Sequence, residues 1–209
     1  MLKQYLDETK VELGIDEAGR GCLFGPVCVA AVIWPKLDPL NNGNPPPEIK
    51  DSKKVSEKKR LILKDYIEQN AIAWSVQFLS HEEIDKTNIL KATMMGMHRC
   101  IDDIRKQMKI DTILVDGNHF QAYTDENLDC MDHVCVVNGD NTYKSIAAAS
   151  ILAKTHRDNY ILELSKDNPE LEKYGIPKNK GYGTKVHMDA LKEYGSTNGH
   201  RMSFKPCQD

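Results

Sequence analysis

The chemistry this sequence suggests rests on four acidic residues. Asp16 and Glu17 stand side by side after a short apolar run (Val11, Leu13, Ile15), and Gly19-Arg20-Gly21 follows them. Asp116 closes the apolar run 112–115 and precedes Gly117, while Asp140 follows Asn138-Gly139 behind the run 134–137. Carboxylates brought together repel, and a partly buried group of them stays ionised only beside a compensating cation. Mg2+ and Mn2+, hard ions that prefer carboxylate oxygens, fit that need. Two such ions roughly 4 Å apart are a known means of in-line phosphodiester cleavage, one activating the attacking water and the other stabilising the leaving oxygen. The two glycines let a ligand backbone come close, and Arg20 between them offers charge for phosphate. Taken singly, each feature has a plainer reading. An Asp-Glu pair before a glycine-rich turn is more often a solvated turn, and strand-end aspartates are frequently structural. No His or Cys is placed as a nucleophile.

The elements that would position these acids follow from periodicity. Residues 11–15 and Val27–Ile33 read as an antiparallel pair joined by the glycine-rich turn, with both acids at the end of the first strand or the start of the turn. The stretch 38–47, rich in Asn and Pro, is a surface loop by composition. Ser56 opens a helix to about residue 69, with Leu61, Leu63, Tyr66 and Ile67 on its apolar face. The basic run around it (Lys53, Lys54, Lys58, Lys59, Arg60) reads as a solvated face or as a phosphate-facing edge. Ile72, Trp74, Val76 and Phe78 predict a third strand with that face buried, and Ser80-His81-Glu82-Glu83 has capping-box spacing. Leu90, Met94, Met97, Ile101, Ile104 and Met108 mark a core-facing helix. Residues 112–115 and 134–137 are further strands whose ends carry Asp116 and Asp140. The span 143–165 is strongly helical, with small residues (Ala147, Ala148, Ala149, Ser150, Ala153) that let it lie close to a sheet, though Lys154, Arg157 and Asp158 interrupt it with charge. A basic, glycine-rich loop at 178–184 presents Tyr182, and a helix from about Lys185 to Tyr194 stops at Gly195.

Composition narrows the setting. A chain of 209 residues with 40% hydrophobic and 28% charged residues has the size and make-up of one globular α/β domain, expected to span 1–209 with a core of about 11–206. Its net charge of −3 argues against a protein that coats nucleic acid non-specifically, but not against a nuclease with an acidic metal site. Six cysteines include no Cys-x-x-Cys pair, the N-terminus lacks the apolar core of a signal peptide, and no run is long enough for a membrane span. Reduced thiols and a cytoplasmic location are the expectation.

The ordered set of motifs resembles type 2 ribonuclease H, the ribonuclease HII family, from about residue 13 to 206. The resemblance rests on Gly14-Ile15-Asp16-Glu17-Ala18-Gly19-Arg20-Gly21, Val115-Asp116-Gly117, Asn138-Gly139-Asp140, the helix 145–154 with Arg157-Asp158, Lys180-Gly181-Tyr182-Gly183-Thr184, and His200-Arg201-x-Ser203-Phe204. It implies a ribonuclease H-like fold, a five-stranded mixed sheet with helices on both sides. It implies that Asp16, Glu17, Asp116 and Asp140 are the metal-binding acids, served by two Mg2+ or Mn2+ ions. It implies that Gly19, Arg20 and Gly21 read the 2′-hydroxyl at an RNA-to-DNA junction through backbone groups, and that Tyr182 stacks on the next deoxynucleotide sugar. The reaction implied is hydrolysis of RNA in RNA–DNA hybrids, with cleavage 5′ of single ribonucleotides in duplex DNA to leave a 3′-hydroxyl and a 5′-phosphate.

Beside these, Lys154 and Lys180 are candidate phosphate contacts or surface lysines. Asp158 is either a ligand-supporting acid or simply the partner of Arg157 or Lys154. His187 and His200 lie near the motifs without a catalytic reading. Arg20 and the early first strand favour ribonuclease HII over ribonuclease HIII, which carries lysine there and an extra N-terminal domain. No aromatic clamp-binding motif is seen at the C-terminal end, and a monomer is expected. Two competing readings remain: another nuclease of the same fold, such as an integrase or junction resolvase, and a hybrid-binding protein without catalysis.

Overall fold

The computed structural model describes residues 2–40, 43–125 and 127–208, so Asn41 and Asn42 of the proline-rich loop lie outside the described residues. Five strands form one sheet: β1 (Glu12–Ala18), β2 (Val27–Ile33), β3 (Ala73–Leu79), β4 (Thr112–Asp116) and β5 (His133–Val136), in the order β3-β2-β1-β4-β5. The β1–β2 and β2–β3 pairs are antiparallel, and β1–β4 and β4–β5 are parallel, which makes the sheet mixed. Among the described residues six α-helices accompany it: α1 (Glu57–Asn70), α2 (His81–Thr87), α3 (Ile89–Arg105), α4 (Lys144–Asp167), α5 (Ile176–Asn179) and α6 (Lys185–Tyr194).

β1 and β2 are buried almost throughout, because helices cover both faces of the sheet and neither alternating set of side chains meets water. On one face Leu13, Ile15, Val27, Val29 and Ala31 pack with Met94, Met97, Ile101 and Ile104 of α3. On the other, Ala18, Cys28, Ala30 and Val32 pack with Leu63 and Ile67 of α1 and the alanines of α4. Gly14 makes the second packing possible, since a Cβ there would lie within hard contact of the Ser145 backbone at the start of α4. A third cluster joins Leu23 and Phe24, just beyond β1, to Ile161, Leu171, Tyr174, Ile176 and Leu191 in the C-terminal part.

Several boundaries fall where the sequence puts them. Ser56 and Gly195 flank α1 and α6, and Ser80 with Glu83 forms a capping box at α2. Other expectations need correction. β1 runs on to Ala18 rather than stopping at Ile15, which places Asp16 and Glu17 at the end of the strand, the first of the two positions expected for them. In β3 the more buried residues are Ala73, Ser75 and Leu79, facing α3, whereas Trp74, Val76 and Phe78 are half-buried and Ile72 is exposed. This edge strand has cover on both sides, and the bulkier face lies towards the thinner one. Leu61 and Leu90 are exposed on α1 and α3, and Met108 lies beyond the end of α3. Arg157 and Asp158 do not interrupt α4, because both are buried and bonded, Arg157 to carbonyls outside the helix and Asp158 to Lys154 and Arg60. All six cysteines are free, and among the described residues no helix is long and apolar enough to cross a membrane.

The approach of α4 to β1 is a packing constraint that a single methyl can test. Gly14→Ala is expected to destabilise the protein by roughly 1–3 kcal/mol, read as a lower midpoint in urea unfolding, because backbone rather than a flexible side chain must yield. An unchanged midpoint would show that the two elements are not in hard contact at Gly14.

Candidate active site

The sheet brings three of the four acids to one edge. β1 and β4 run parallel with Ile15 opposite Val115, so the next pair in register is Asp16 and Asp116, on strands about 4.8 Å apart. Alternation turns both towards the α4 face, since Gly14 meets α4 and Leu114 packs with Ile146. Asp140 arrives differently from the expectation. It sits on a 3₁₀ turn, Gly139–Asn141, between β5 and α4 rather than at a strand end. That turn is tied to Asp116, whose Oδ1 accepts from the Gly139 backbone N–H at 2.6 Å. Asn138 enters the turn with φ 55°, a left-handed conformation that Asn tolerates.

The charges act on one another. Burial, followed by the carboxylates of Glu17 and Asp116, pushes Asp16 well above the usual carboxylate range, against the pull of Ser150 and its own backbone bond. Burial also raises Glu17, with Asp116 adding to the rise and Arg20 opposing it. Asp140 is raised by burial and then by Asp116 and Asp51, with Lys53 and Asn141 pulling the other way. Asp116 is therefore the charge that all three others share. Two of the acids have interim partners: Arg20 Nη1 lies 3.1 Å from Glu17, and Asn141 Nδ2 and Lys53 Nζ lie 2.9 Å and 4.0 Å from Asp140.

Four carboxylates, with no thiolate or imidazole among them, are a hard all-oxygen donor set of the kind Mg2+ or Mn2+ accepts. Among the described residues no three His, Cys, Asp or Glu side chains stand as a ready-made ion cage. The donors fit a hard ion in type; as placed, Glu17 and Asp140 are held by the protein's own cations.

The Lys53 contact answers the question left by the basic run. Asp51-Ser52-Lys53 reaches the acids, with Ser52 bonded to Ser150 at 3.0 Å and Asn141 bonded to Asp51 at 3.3 Å. The signal was the local motif rather than the charge count, since only Lys53 of that run approaches Asp140. Asp158 is separate from the acids, bonded to Lys154 at 2.8 Å and Arg60 at 3.4 Å, where it ties α1 to α4. Lys154 thus spends its charge on Asp158, with its ammonium 5.3 Å from the centre of the Tyr182 ring. Lys180 bonds the Pro177 carbonyl through its side chain, which does not make it a free phosphate contact.

Beside the acids lies an open backbone. Gly19 has φ 88° and no room for a Cβ against Arg157, whereas a Cβ on Gly21 would meet nothing within 4 Å. Tyr182 is the loop's neighbour: Cys22 bridges to it, and Leu23 N–H donates to Gly181 O at 2.8 Å. The Tyr182 ring is 39% exposed. Two arginines that sequence reading left without a role fasten these loops. Arg201, fully buried, donates to Gly19 O and Arg20 O at 2.8 Å and to Gly25 O at 2.9 Å. Arg157, equally buried, donates to Pro26 O at 2.9 Å, Phe24 O at 3.1 Å and Lys180 O at 2.8 Å. Two planar forks thereby serve six loop carbonyls.

The family model described as Ribonuclease HII matches residues 13–207. A curated Ribonuclease HII from Parabacteroides distasonis is 48% identical over 98% of this chain and 94% of its own length. Among solved structures, ribonuclease H2 from Pyrococcus horikoshii OT3 superposes with a TM-score of 0.68 at 20% identity, covering 94% of this chain and 95% of that one. A structure of Bst-RNase HIII in complex with Mn2+ gives a TM-score of 0.69 at 19% identity over 94% of this chain and 68% of that one. These last two likenesses establish the fold, which is ribonuclease H-like.

The raised affinity of Asp16 for a proton gives a stability prediction. Where its native value exceeds the unfolded value near 3.8, the native state holds the proton more tightly, so stability falls as pH rises from about 4 through the native value. In chelator, Asp16→Asn is expected to melt higher than the parent at pH 8, with the gap closing towards pH 4. A gap that does not depend on pH would remove charge repulsion as its cause.

Proposed function

The chain belongs to the ribonuclease HII family, and from that premise we propose that it is a metal-dependent endoribonuclease that hydrolyses RNA in RNA–DNA hybrids and cuts 5′ of single ribonucleotides embedded in duplex DNA. What carries the reading is one juxtaposition: four carboxylates within each other's field, beside an open Gly-Arg-Gly backbone and a half-exposed tyrosine. Asp16, Glu17, Asp116 and Asp140 would hold two Mg2+ or Mn2+ ions, which when bound supply an activated water and stabilise the leaving oxygen, so that the products carry a 3′-hydroxyl and a 5′-phosphate.

The residues of the chain do the rest. Gly19 to Gly21 present backbone groups to the 2′-hydroxyl, the one feature that separates RNA from DNA at a given sugar. Arg201 holds the carbonyls of Gly19 and Arg20 from behind, which leaves the other side of that backbone for substrate. Tyr182 offers its exposed face to the neighbouring deoxyribose. Lys53, with its side chain largely exposed near Asp140, is placed to meet a phosphate that approaches the acids. Lys154 supports Tyr182 through its position over the ring and need not touch nucleic acid itself.

A hybrid-binding protein without chemistry would not need four acids in each other's field, which cost stability when no cation is present. An integrase-like or resolvase-like nuclease would need no reader of the 2′-hydroxyl.

A panel of four duplexes tests specificity: RNA–DNA hybrid, DNA with one ribonucleotide, all-DNA and all-RNA, each with Mg2+ or Mn2+. The first two should be cut and the last two left intact; cleavage of the all-DNA duplex would remove the Gly-Arg-Gly reading. Asp116→Asn should keep hybrid affinity and lose more than about a hundredfold in cleavage, the upper end of what removing a group behind a metal ligand costs. Parental turnover by that variant would take Asp116 out of the site.

A further inference from the structure

His187 and His200 are both buried behind Tyr182, and the mechanism above uses neither. They sit in an aromatic enclosure: the rings of Phe24 and Tyr174 each lie 5.1 Å from that of His200, and Tyr174 lies 6.1 Å from His187. Their Nε2 atoms are 3.0 Å apart. At one end of the pair, His187 Nδ1 is 3.0 Å from the Tyr182 carbonyl. At the other, the Thr197 backbone N–H points at His200 Nδ1 at 2.9 Å, with Thr197 Oγ1 at 3.0 Å.

The two ends select complementary tautomers. A carbonyl only accepts, so His187 Nδ1 carries hydrogen and its Nε2, in the neutral ring, is bare. A backbone N–H only donates, so His200 Nδ1 is bare and its Nε2 carries hydrogen. One hydrogen therefore lies between the two Nε2 atoms, and the chain of donors runs in a single direction from Thr197 to Tyr182. A proton added to His187 would set two N–H groups against each other. One added to His200 would oppose the Thr197 amide, even though the Thr197 carbonyl at 3.2 Å could accept from it. Burial, then the neighbouring His187, lowers His200 to about 4, and burial lowers His187 as well, which agrees with two neutral rings.

The segment that receives this chain of bonds is soft by composition. Tyr182 lies between Gly181, with φ 86°, and Gly183. Apart from His187, its carbonyl accepts only from the nearby Thr184 N–H at 2.8 Å among the described residues. Such a backbone needs an external anchor if its aromatic ring is to keep one orientation.

We propose that the His187–His200 pair is a positioning device for Tyr182, fixing its carbonyl and so the placement of its ring against the Gly19–Arg20–Gly21 backbone. This rests on the reading of Tyr182 as a substrate contact. The histidines touch no reacting atom; they act through Tyr182 alone.

Two measurements test it. In 15N-labelled protein at pH 7, ring nitrogen spectra should show His187 as the neutral Nδ1–H tautomer and His200 as the neutral Nε2–H tautomer; an imidazolium or the reverse pair overturns the relay. Kinetics on single-ribonucleotide duplexes then tests its purpose. His187→Phe should lower kcat/KM roughly tenfold, the scale of one lost hydrogen bond, with most of the change in KM. His187→Asn, whose amide N–H replaces Nδ1–H, should stay near the parent. Because the effect passes through the tyrosine, His187→Phe combined with Tyr182→Ala should be no worse than Tyr182→Ala alone. Independent, multiplying losses overturn the proposal. Unchanged kinetics in Tyr182→Ala overturns the reading of Tyr182, and with it the purpose of the pair, while the spectra still report on the relay itself. Should His187→Phe not fold, His187→Asn against His187→Gln makes the same comparison, since Gln places its amide at Nε2 instead.

Discussion

Repulsion among carboxylates at the edge of a sheet is the constraint on which the other features of this molecule depend. A parallel register that sets Asp16 beside Asp116 is unfavourable wherever it is not offset. The offset comes from burial elsewhere in the same strands. β1 is flanked on both sides by partners, covered on both faces, and allowed by Gly14 to lie against α4 with no intervening side chain. The acids therefore occupy a stretch of backbone that cannot bend away from its neighbours. Interior packing is stiff, and the strain of like charges is borne there rather than relieved by movement.

The Gly19-Arg20-Gly21 loop faces a different physical problem. The connection from β1 to β2 turns sharply and leaves carbonyls pointing inward, where water does not reach. Arg157 and Arg201, with three bonds each, meet five of them together with the Lys180 carbonyl of the neighbouring loop. A buried guanidinium is costly, but each of its three nitrogens here donates to a carbonyl, a fork that a lysine ammonium cannot reproduce. The same two groups place positive charge beneath a loop that would receive a polyanion. Burial and the neighbouring Arg157 charge press on Arg201, lowering it to about 10, which leaves it fully charged at neutral pH. One structural solution thus serves both folding and the local field.

Much of this was legible in the chain because local rules and the overall fold agree. The Ser80–Glu83 box, the Ser56 start of α1, the Gly195 stop of α6 and the apolar runs of β1, β2 and β4 each carry their own physical signal. Legibility failed where tertiary context decides. The face of β3 was misread because both sides of that edge strand are covered, so alternation between bulky and small residues did not report depth. Asp140 was given to a strand end because a 3₁₀ turn of three residues has no periodicity. Arg157 had a reading only as a possible partner of Asp158, and Arg201 had none beyond its motif, since nothing local reveals that carbonyls from distant loops, five of the six more than a hundred positions away, will surround them. Lys53 was one lysine among several, and only the fold separates it from its neighbours.

The partners of the acids distinguish those that serve the fold from those available to a ligand. Asp158 is buried between Lys154 and Arg60, both themselves mostly covered, and a pair so enclosed cannot lose one member without leaving an isolated charge. Glu17 and Asp140 are also largely buried, yet their cations, Arg20 and Lys53, reach in from solvent with side chains 48% and 81% exposed. Pairs with so exposed a member are worth little, on the order of 1 kcal/mol or less, because water competes for the cation at almost no cost. A stronger cation can therefore displace them. Raised proton affinity at Asp16, Glu17 and Asp140 comes first from burial and then from the neighbouring carboxylates, Asp116 among them in each case, which the cations at hand do not offset. An acid that the fold has already satisfied binds nothing further, and by that measure Asp158 belongs to the scaffold, whereas Glu17 and Asp140 keep a capacity for a cation.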